Sequence, residues 1–396
     1  MIASAPPLTP DIELARAKDM LARLVSFDTT SRNSNLAFIA DVRALLAGFG
    51  ITSRLVHNDE GTKANLLATI GPMVPGGVVL SGHTDVVPID DQDWRTDPWK
   101  VTERDGKLHG RGTCDMKGFL AVILAALPEM TKADLKVPLH LAFSYDEEVG
   151  CLGAPSLIRL LSAELPAPAA VIVGEPTEMK VVSAHKGITA VRTTVTGHEA
   201  HSSQPHRGVS AVMVAAELIG FLQTLAKEAA TDGVRNTLFD PPHTTITVNK
   251  IEGGTAVNIL AGHCTFNWDV RALPEDDPDA YIARFMAHCR DDVLPRLRAI
   301  APTCDIETVP RAGTPALRAE PTSAAEEICR RLTGDNQTRA VSFAAEGGQY
   351  QGAGLSTCVC GPGSIAQAHQ PNEFIAVEQL ALGAKFIRDL IVYSSR

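Results

Sequence analysis

Apolar residues in this chain gather into short unbroken runs set between polar clusters. Val78-Val79-Leu80, Ala170-Val171-Ile172-Val173 and Cys358-Val359-Cys360 are apolar at every position, the pattern of strands covered on both faces, as in a parallel sheet. Asn65 to Ile70 and Leu139 to Tyr145 read as two further strands. Between these runs the spacing shifts to that of helices. Asp11 to Ser26 is amphipathic, Asn35 to Phe49 stops at Gly50 as a helix C-terminus should, and the segment after Gly110-Arg111-Gly112 continues to Leu127 as a strongly apolar helix. Asp115 stands at or near the start of that helix, where the dipole favours an acidic side chain.

From about Ala184 to Arg311 the pattern changes. Lys186 to Thr196, Thr244 to Ile251, Cys264 to Leu273 and Asp305 to Val309 read as strands, Val209 to Ala226 and Asp279 to Ile300 as helices, and Thr231 to Pro242 as a long loop. This order suits a small α+β insert with an antiparallel sheet. The expected organisation is therefore an α/β chain with a mixed sheet flanked by helices, formed by residues 1–183 and 312–396, interrupted by an inserted domain at 184–311.

Composition narrows the function classes. At 396 residues and 42.1 kDa the chain can bury more than one core. A formal charge of -10 and a pI near 5.6 argue against nucleic acid or an anionic membrane as partner. No apolar run approaches bilayer length. Met1 to Pro10 has neither the cationic start nor the apolar centre of a secretory leader. The eight cysteines show no Cys-x-x-Cys spacing, which suits buried thiols in a reducing cytoplasm and gives no support to a disulfide framework or zinc ribbon.

The chemistry-bearing residues stand where strands end. His83 and Asp85 follow the Val78 strand, Asp146-Glu147-Glu148 follows the Leu139 strand, Gly174-Glu175 follows Val173, and Gly361-Pro362-Gly363-Ser364 leads from Cys360 towards His369. In an open α/β sheet these rims collect the ligand-binding loops. Taken singly, each has a plainer reading: a strand-end hydrogen bond for His83 and Asp85, a solvated acidic turn for Glu147 and Glu148, a helix cap for Asp115 or Glu175, a surface imidazole for His369. Jointly, His83, Asp115, Glu148, Glu175 and His369 form a nitrogen and oxygen donor set suited to zinc, cobalt or manganese. Three carboxylates and one hydroxide balance two divalent cations if one carboxylate bridges them. Glu147 is then a spare carboxylate beside the metals, the position of a general base.

Gly82-His83-Thr84-Asp85-Val86-Val87-Pro88, Gly110-Arg111-Gly112-Thr113-Cys114-Asp115-Met116-Lys117-Gly118, Asp146-Glu147-Glu148-Val149-Gly150, Gly174-Glu175-Pro176-Thr177 and His185-Lys186-Gly187 together resemble the M20 family of dinuclear zinc aminoacylases and exopeptidases. The resemblance spans nearly the whole chain. It implies a zinc-exopeptidase-like catalytic domain and an inserted dimerisation, or lid, domain. It also implies two divalent ions per chain, Zn2+ with Co2+ as the alternative. In that scheme Asp115 bridges, His83 and Glu175 complete one site, and Glu148 and His369 complete the other. Asp85 orients His83, and Glu147 moves the proton. In Gly197-His198-Glu199-Ala200-His201-Ser202-Ser203 the resemblance assigns His201 to the partner subunit's active site in a homodimer, as an oxyanion donor; His198 and His206 read as exposed loop residues.

Asn258 and Arg271 match positions that hold the substrate carboxylate in that family, where a guanidinium fork suits the task. The plainer reading of Arg271 is a structural ion pair. Cys360 to Glu373 is most similar to the deacetylase branch that acts on N2-acetyl-L-ornithine in arginine biosynthesis, which places Gly363 and Ser364 beside the substrate. Glu346, in Ala345-Glu346-Gly347-Gly348-Gln349, is expected to meet the cationic end of such a substrate, although Ala345 stands where the branch carries threonine. Other N-acyl-amino acid hydrolysis, desuccinylation of diaminopimelate precursors and dipeptide cleavage remain alternatives. A non-catalytic metal-stabilised binding protein conflicts with the intact Asp85 and Glu147, and a dinuclear phosphoesterase lacks a phosphate-cradling glycine loop.

Overall fold

The computed structural model describes residues 9–396; positions 1–8, within the stretch read as lacking a leader, lie outside the described residues. The chain divides into two compact units. One comprises the described residues up to Ala184 with Ala319–Arg339 and Ala345–Arg396; the other comprises His185–Arg318 with Ala340–Ala344.

The first unit is built on a six-stranded mixed sheet in the order Ser53–His57, Ala64–Ile70, Leu139–Ser144, Val78–His83, Ala170–Val173, Thr357–Val359. The first three strands pair antiparallel, and the last four run parallel. The continuous apolar runs fill the centre because both sheet faces are covered. Leu66, Val78, Leu80, Leu139, Leu141, Ala170 and Ile172 face a core shared with Pro10–Val25, Leu36–Gly48, Lys117–Ala125 and Val377–Ser394. The alternate residues Leu67, Val79, Ala142, Val171 and Val173 are buried as well, as the period of two requires. In the first helix the buried residues Ala17, Leu21, Leu24 and Val25 recur at helical spacing, and Thr9 caps its N-terminus by accepting from the Ile12 amide.

Four strand ends are decisive for the site. Because four strands run parallel, His83, Asp146 to Glu148, Gly174 to Glu175 and Cys360 to Ser364 emerge on one rim. Gly174 is required there: a Cβ at this position would lie 1.9 Å from the Phe119 ring. Two features had no clear signal in the pattern, the edge strand Ser53–His57 and a three-stranded sheet of Thr102–Arg104, Lys107–His109 and Phe374–Ala376. The apolar helix begins at Lys117, two residues beyond Asp115, and its side-chain cap is empty; Asp115 therefore does not cap it.

In the second unit the sheet order is Thr245–Gly253, His263–Ala272, Gly187–Thr196, Asp305–Thr314, antiparallel throughout. Cys264, Phe266, Trp268, Val270 and Ala272 alternate onto one buried face against Ala211–Thr231 and Pro278–His288. The expected single helix from Asp279 to Ile300 is broken by a wide π-type turn at Cys289–Val293, after which Pro295 sits in the first turn of Leu294–Ile300. The last strand runs on to Thr314, so this unit extends to Arg318 rather than 311.

Candidate active site

On the parallel rim of the first unit, Asp115 lies between two imidazoles. Its Oδ1 is 3.1 Å from His83 Nε2, and its Oδ2 is 3.3 Å from His369 Nε2. His369 Nε2 is also 2.9 Å from Glu148 Oε2. Glu147 Oε2 and Glu175 Oε1 each lie 3.9 Å from His83 Nε2. Two donor groups result, His83 with Asp115 and Glu175, and Asp115 with Glu148 and His369, each able to place one atom per residue within 4.8 Å of the others. Glu148 Oε1 and Glu175 Oε1 are buried with no hydrogen-bond partner, a costly arrangement for a carboxylate unless a cation completes it.

Electrostatics follow from this crowding. His369 is pushed up to about 10 by its bonds to Asp115 and Glu148. Burial opposes the charged form of His83, but the Asp115 bond and the charges of Glu147 and Glu175 outweigh it and hold His83 well above the ordinary imidazole range. Burial also resists ionisation of Asp115, yet its bonds to His369 and His83 keep it well below the carboxylate range. Glu147 and Glu175 are driven well above that range by burial first and then by neighbouring carboxylates, and Glu148 rises to about 7 for the same reasons. Four carboxylates share two imidazoles, so the cluster's own residues could not neutralise it with all four ionised, and its glutamates hold protons instead.

Asp85 works differently from the expectation. Its backbone carbonyl, not its carboxylate, receives His83 Nδ1 at 2.9 Å; the carboxylate is 3.7 Å away. The carboxylate instead accepts from Ser31 Oγ at 2.7 Å and from the backbone amides of Glu147 at 3.2 Å and Glu148 at 3.3 Å. It thus fixes both the His83 tautomer, through the main chain, and the turn that carries Glu147. Asp146, next in that turn, pairs with Lys63.

Glu373 was missed in the sequence. Buried, it accepts from Arg111 Nη1 at 2.7 Å and from the amides of Gly112, Cys114 and Asp115 at 2.9, 2.9 and 3.0 Å. These bonds hold the Gly112 to Asp115 loop just ahead of the helix that starts at Lys117. Nothing in a lone Glu four residues after His369 signals that role.

Of the expected substrate-side residues, Glu346 is 1% exposed. Its Oε2 accepts from Ser81 Oγ at 3.1 Å, and its Oε1 has no partner. Gly363 and Ser364 lie beside the loop that carries Asp115: a Cβ on Gly363 would sit 2.6 Å from Cys114 Sγ, and the Ser364 carbonyl accepts from that thiol at 3.3 Å. His201, Asn258 and Arg271 belong to the second unit. There the Ser202 amide donates to the Asn258 carbonyl at 3.0 Å, His201 pairs through its backbone with Ile259, and His201 Nδ1 is 2.8 Å from Ser203 Oγ. Arg271 Nε is 3.7 Å from Asp269 Oδ1 and the side chain is part-exposed. His198 is exposed and pairs through its backbone with Val209.

The profile of peptidase family M20/M25/M40 matches residues 79–393. The chain belongs to this family. It is 34% identical over 389 residues to an acetylornithine deacetylase of Photorhabdus laumondii, covering 97% of each chain, and 35% identical over 367 residues to one of Myxococcus xanthus, covering 91% of this chain and 92% of that one. Among solved structures of the same fold are an M20 family metallo-carboxypeptidase of Sulfolobus solfataricus (TM-score 0.76, 17% identity, 96% and 99% of the two chains) and human carnosine dipeptidase 1 (0.73, 17%, 98% of each). As a member of the M20/M25/M40 family the protein is a hydrolase of amide bonds. Among the described residues no helix is long and apolar enough to cross a membrane.

Proposed function

We propose that the protein is a homodimeric, dinuclear-metal amidohydrolase of the cytoplasm that converts N2-acetyl-L-ornithine to L-ornithine and acetate for arginine biosynthesis. The observation that carries this reading is the two-sided Asp115 carboxylate, with one oxygen towards His83 and the other towards His369. His83 and Glu175 would complete one cation site, and Glu148 and His369 the other. The fit rests on two features: the donors are all nitrogen or oxygen, which suits Zn2+ and admits Co2+, and the buried oxygens of Glu148 and Glu175 lack any other partner. Bound there, two divalent cations would polarise the scissile carbonyl and lower the pKa of a water towards about 7.

The chain's own residues supply the rest. Asp85 holds the amides of Glu147 and Glu148, so the Glu147 carboxylate is presented to the cluster on a fixed stalk. Glu147 takes a proton from the attacking water and returns it to the amine as the C–N bond breaks. Raised well above the carboxylate range by burial, it is suited to both halves of that transfer. Arg271 and Asn258 hold the α-carboxylate, His201 of the partner copy donates to the oxyanion, and Gly363 and Ser364 line the substrate side. The cationic side chain is assigned to Glu346, whose Oε1 is unpartnered.

Ala345, in place of the threonine of the deacetylase branch, favours a second reading: hydrolysis of another N-acyl-amino acid, a succinylated diaminopimelate precursor or a dipeptide. A panel of these substrates, assayed for amine release with added zinc or cobalt, separates the two. A neutral acyl-amino acid turned over as fast as the ornithine derivative removes Glu346 from the substrate site. Glu147→Ala should lower kcat by about 10²–10⁴ with metal content unchanged; near-normal turnover in that variant ends its role as proton carrier.

A further inference from the structure

Glu147 stands in a turn folded tightly on itself. The amides of Gly150 and Cys151 both donate to the Glu147 carbonyl, at 2.9 and 2.8 Å, and the Leu152 amide donates to the Asp146 carbonyl at 3.0 Å. Cys151 closes the turn with φ +54, a left-handed conformation that side chains other than glycine, asparagine and aspartate rarely adopt. On backbone grounds a glycine would be favoured there. The thiol gives the cysteine a different value. Buried at 3% exposure, its Sγ lies 3.3 Å from Glu147 Oε1.

The two oxygens of Glu147 therefore have different neighbours: Oε1 meets the thiol, and Oε2 looks towards His83. A glutamate carboxyl rotates broadly about its last torsion, and the Asp85 contact fixes only the backbone end of this residue. A donor on Oε1 removes that freedom. The turn is in addition clipped from behind, because Gln349 Nε2, on the helix Gly347–Gly352, donates to the Cys151 carbonyl at 3.2 Å.

We propose that Cys151, held by Gln349, is a positioning residue: its S–H donates to Glu147 Oε1 and keeps Oε2 aimed into the metal cluster, where the proton is collected. This rests on the reading of Glu147 as the proton carrier. Cys151 touches neither substrate nor metal in this assignment. Its effect should appear in turnover rather than in substrate affinity.

The test compares metal-loaded Cys151→Gly, Cys151→Ala, Cys151→Ser and Gln349→Ala with the parent and with Glu147→Ala, on whichever acyl-amino acid the panel finds best. Each variant is measured for kcat, KM, metal content and Tm. Losing a weak S–H donor should lower kcat about five- to tenfold in the glycine and alanine variants, with KM within about twofold. Serine, which retains a hydrogen-bond donor, should keep kcat within about twofold of the parent. Cys151→Gly also relieves the backbone, so its Tm should equal or exceed the parent value while kcat falls, a combination that a purely structural role cannot give. Gln349→Ala should lower kcat about two- to threefold at unchanged metal content.

Parent-level kcat in Cys151→Ala and Cys151→Gly, or a serine variant as slow as alanine, overturns the proposal. A kcat loss that tracks a fall in Tm across the series overturns it too. If Glu147→Ala itself stays active, the reading of Glu147 fails instead, and the Cys151 series is not needed to show it. An inactive Glu147→Ala beside a fully active Cys151→Ala isolates the failure to the positioning step.

Discussion

Without metal, the protein should lose stability as pH rises, and metal should abolish the slope. Glu148 has an ordinary value of 4.5 and is pushed up to about 7, by burial first and then by the Asp115 charge. A carboxyl raised on folding binds protons in the native state that the unfolded chain has already released. Its stabilising contribution is complete below about pH 4.5 and is lost as pH climbs through about 7. For Glu148 alone the loss is about 3 kcal/mol. Glu147 and Glu175, raised for the same physical reason, act in the same direction. His83 and His369, also raised, favour the protonated native state as well. Asp115 is the exception: held low, its contribution is present above 3.8 and fades only at lower pH, below the working window.

Divalent cations should replace these protons, since a ligating carboxylate must be ionised and a ligating imidazole neutral. Thermal melts of chelated protein should fall by about 3 °C between about pH 5 and pH 8 for the Glu148 share alone in a chain of this size. The zinc-loaded protein should show little of that slope. Zinc added to chelated protein at about pH 7 in weak buffer should release roughly three protons per chain, from His83, His369 and Glu175 with a share from Glu148, read with a pH indicator. Glu148→Gln should flatten part of the metal-free slope. A metal-free Tm that is level or rises across the window, or metal uptake without proton release, refutes the account of the cluster.

Two further outcomes follow from named contacts. Glu373→Ala leaves the Arg111 guanidinium buried without its carboxylate and opens three backbone amides, so urea unfolding should show a loss of about 3–5 kcal/mol; an unchanged midpoint would remove Glu373 as the anchor of the Asp115 loop. His201→Ala should lower kcat about 10²-fold, and mixing it with Glu147→Ala under subunit exchange should restore about a quarter of parent activity, because half of the dimers then carry one complete site; no recovery on mixing refutes delivery of His201 by a partner copy.

The parallel centre of the sheet was legible because burial on both faces forces unbroken apolar runs, and each run ended in polar residues that the parallel order then carried to one rim. The edge strand Ser53–His57 was not, because its alternation of partly buried and exposed residues gives too little contrast. Nor was the break at Cys289–Val293, where a helical period continues through a turn that only the packing of the insert reveals. For the site, His83, Asp115, Glu147, Glu148, Glu175 and His369 were legible as chemistry, and their proximity depended on topology. The thiol of Cys151 carried no signal, since a buried cysteine looks like core in a sequence.

Sequence also could not separate carboxylates that hold the chain from those available to a ligand, whereas hydrogen-bond accounting can. Asp85 and Glu373 are as buried as the proposed metal ligands, yet their oxygens meet a hydroxyl, a guanidinium and five backbone amides between them. Such carboxylates are fully served by the protein and gain nothing from a cation. Glu148 and Glu175 each keep a buried oxygen with no donor at all. In a low-dielectric rim that difference decides the roles: an ionised carboxylate without donors must either take a proton or meet a positive ion. Asp115 is satisfied only by two imidazoles that would themselves turn to a metal. The acids most costly to bury on their own are therefore the ones proposed to bind a cation when the enzyme works.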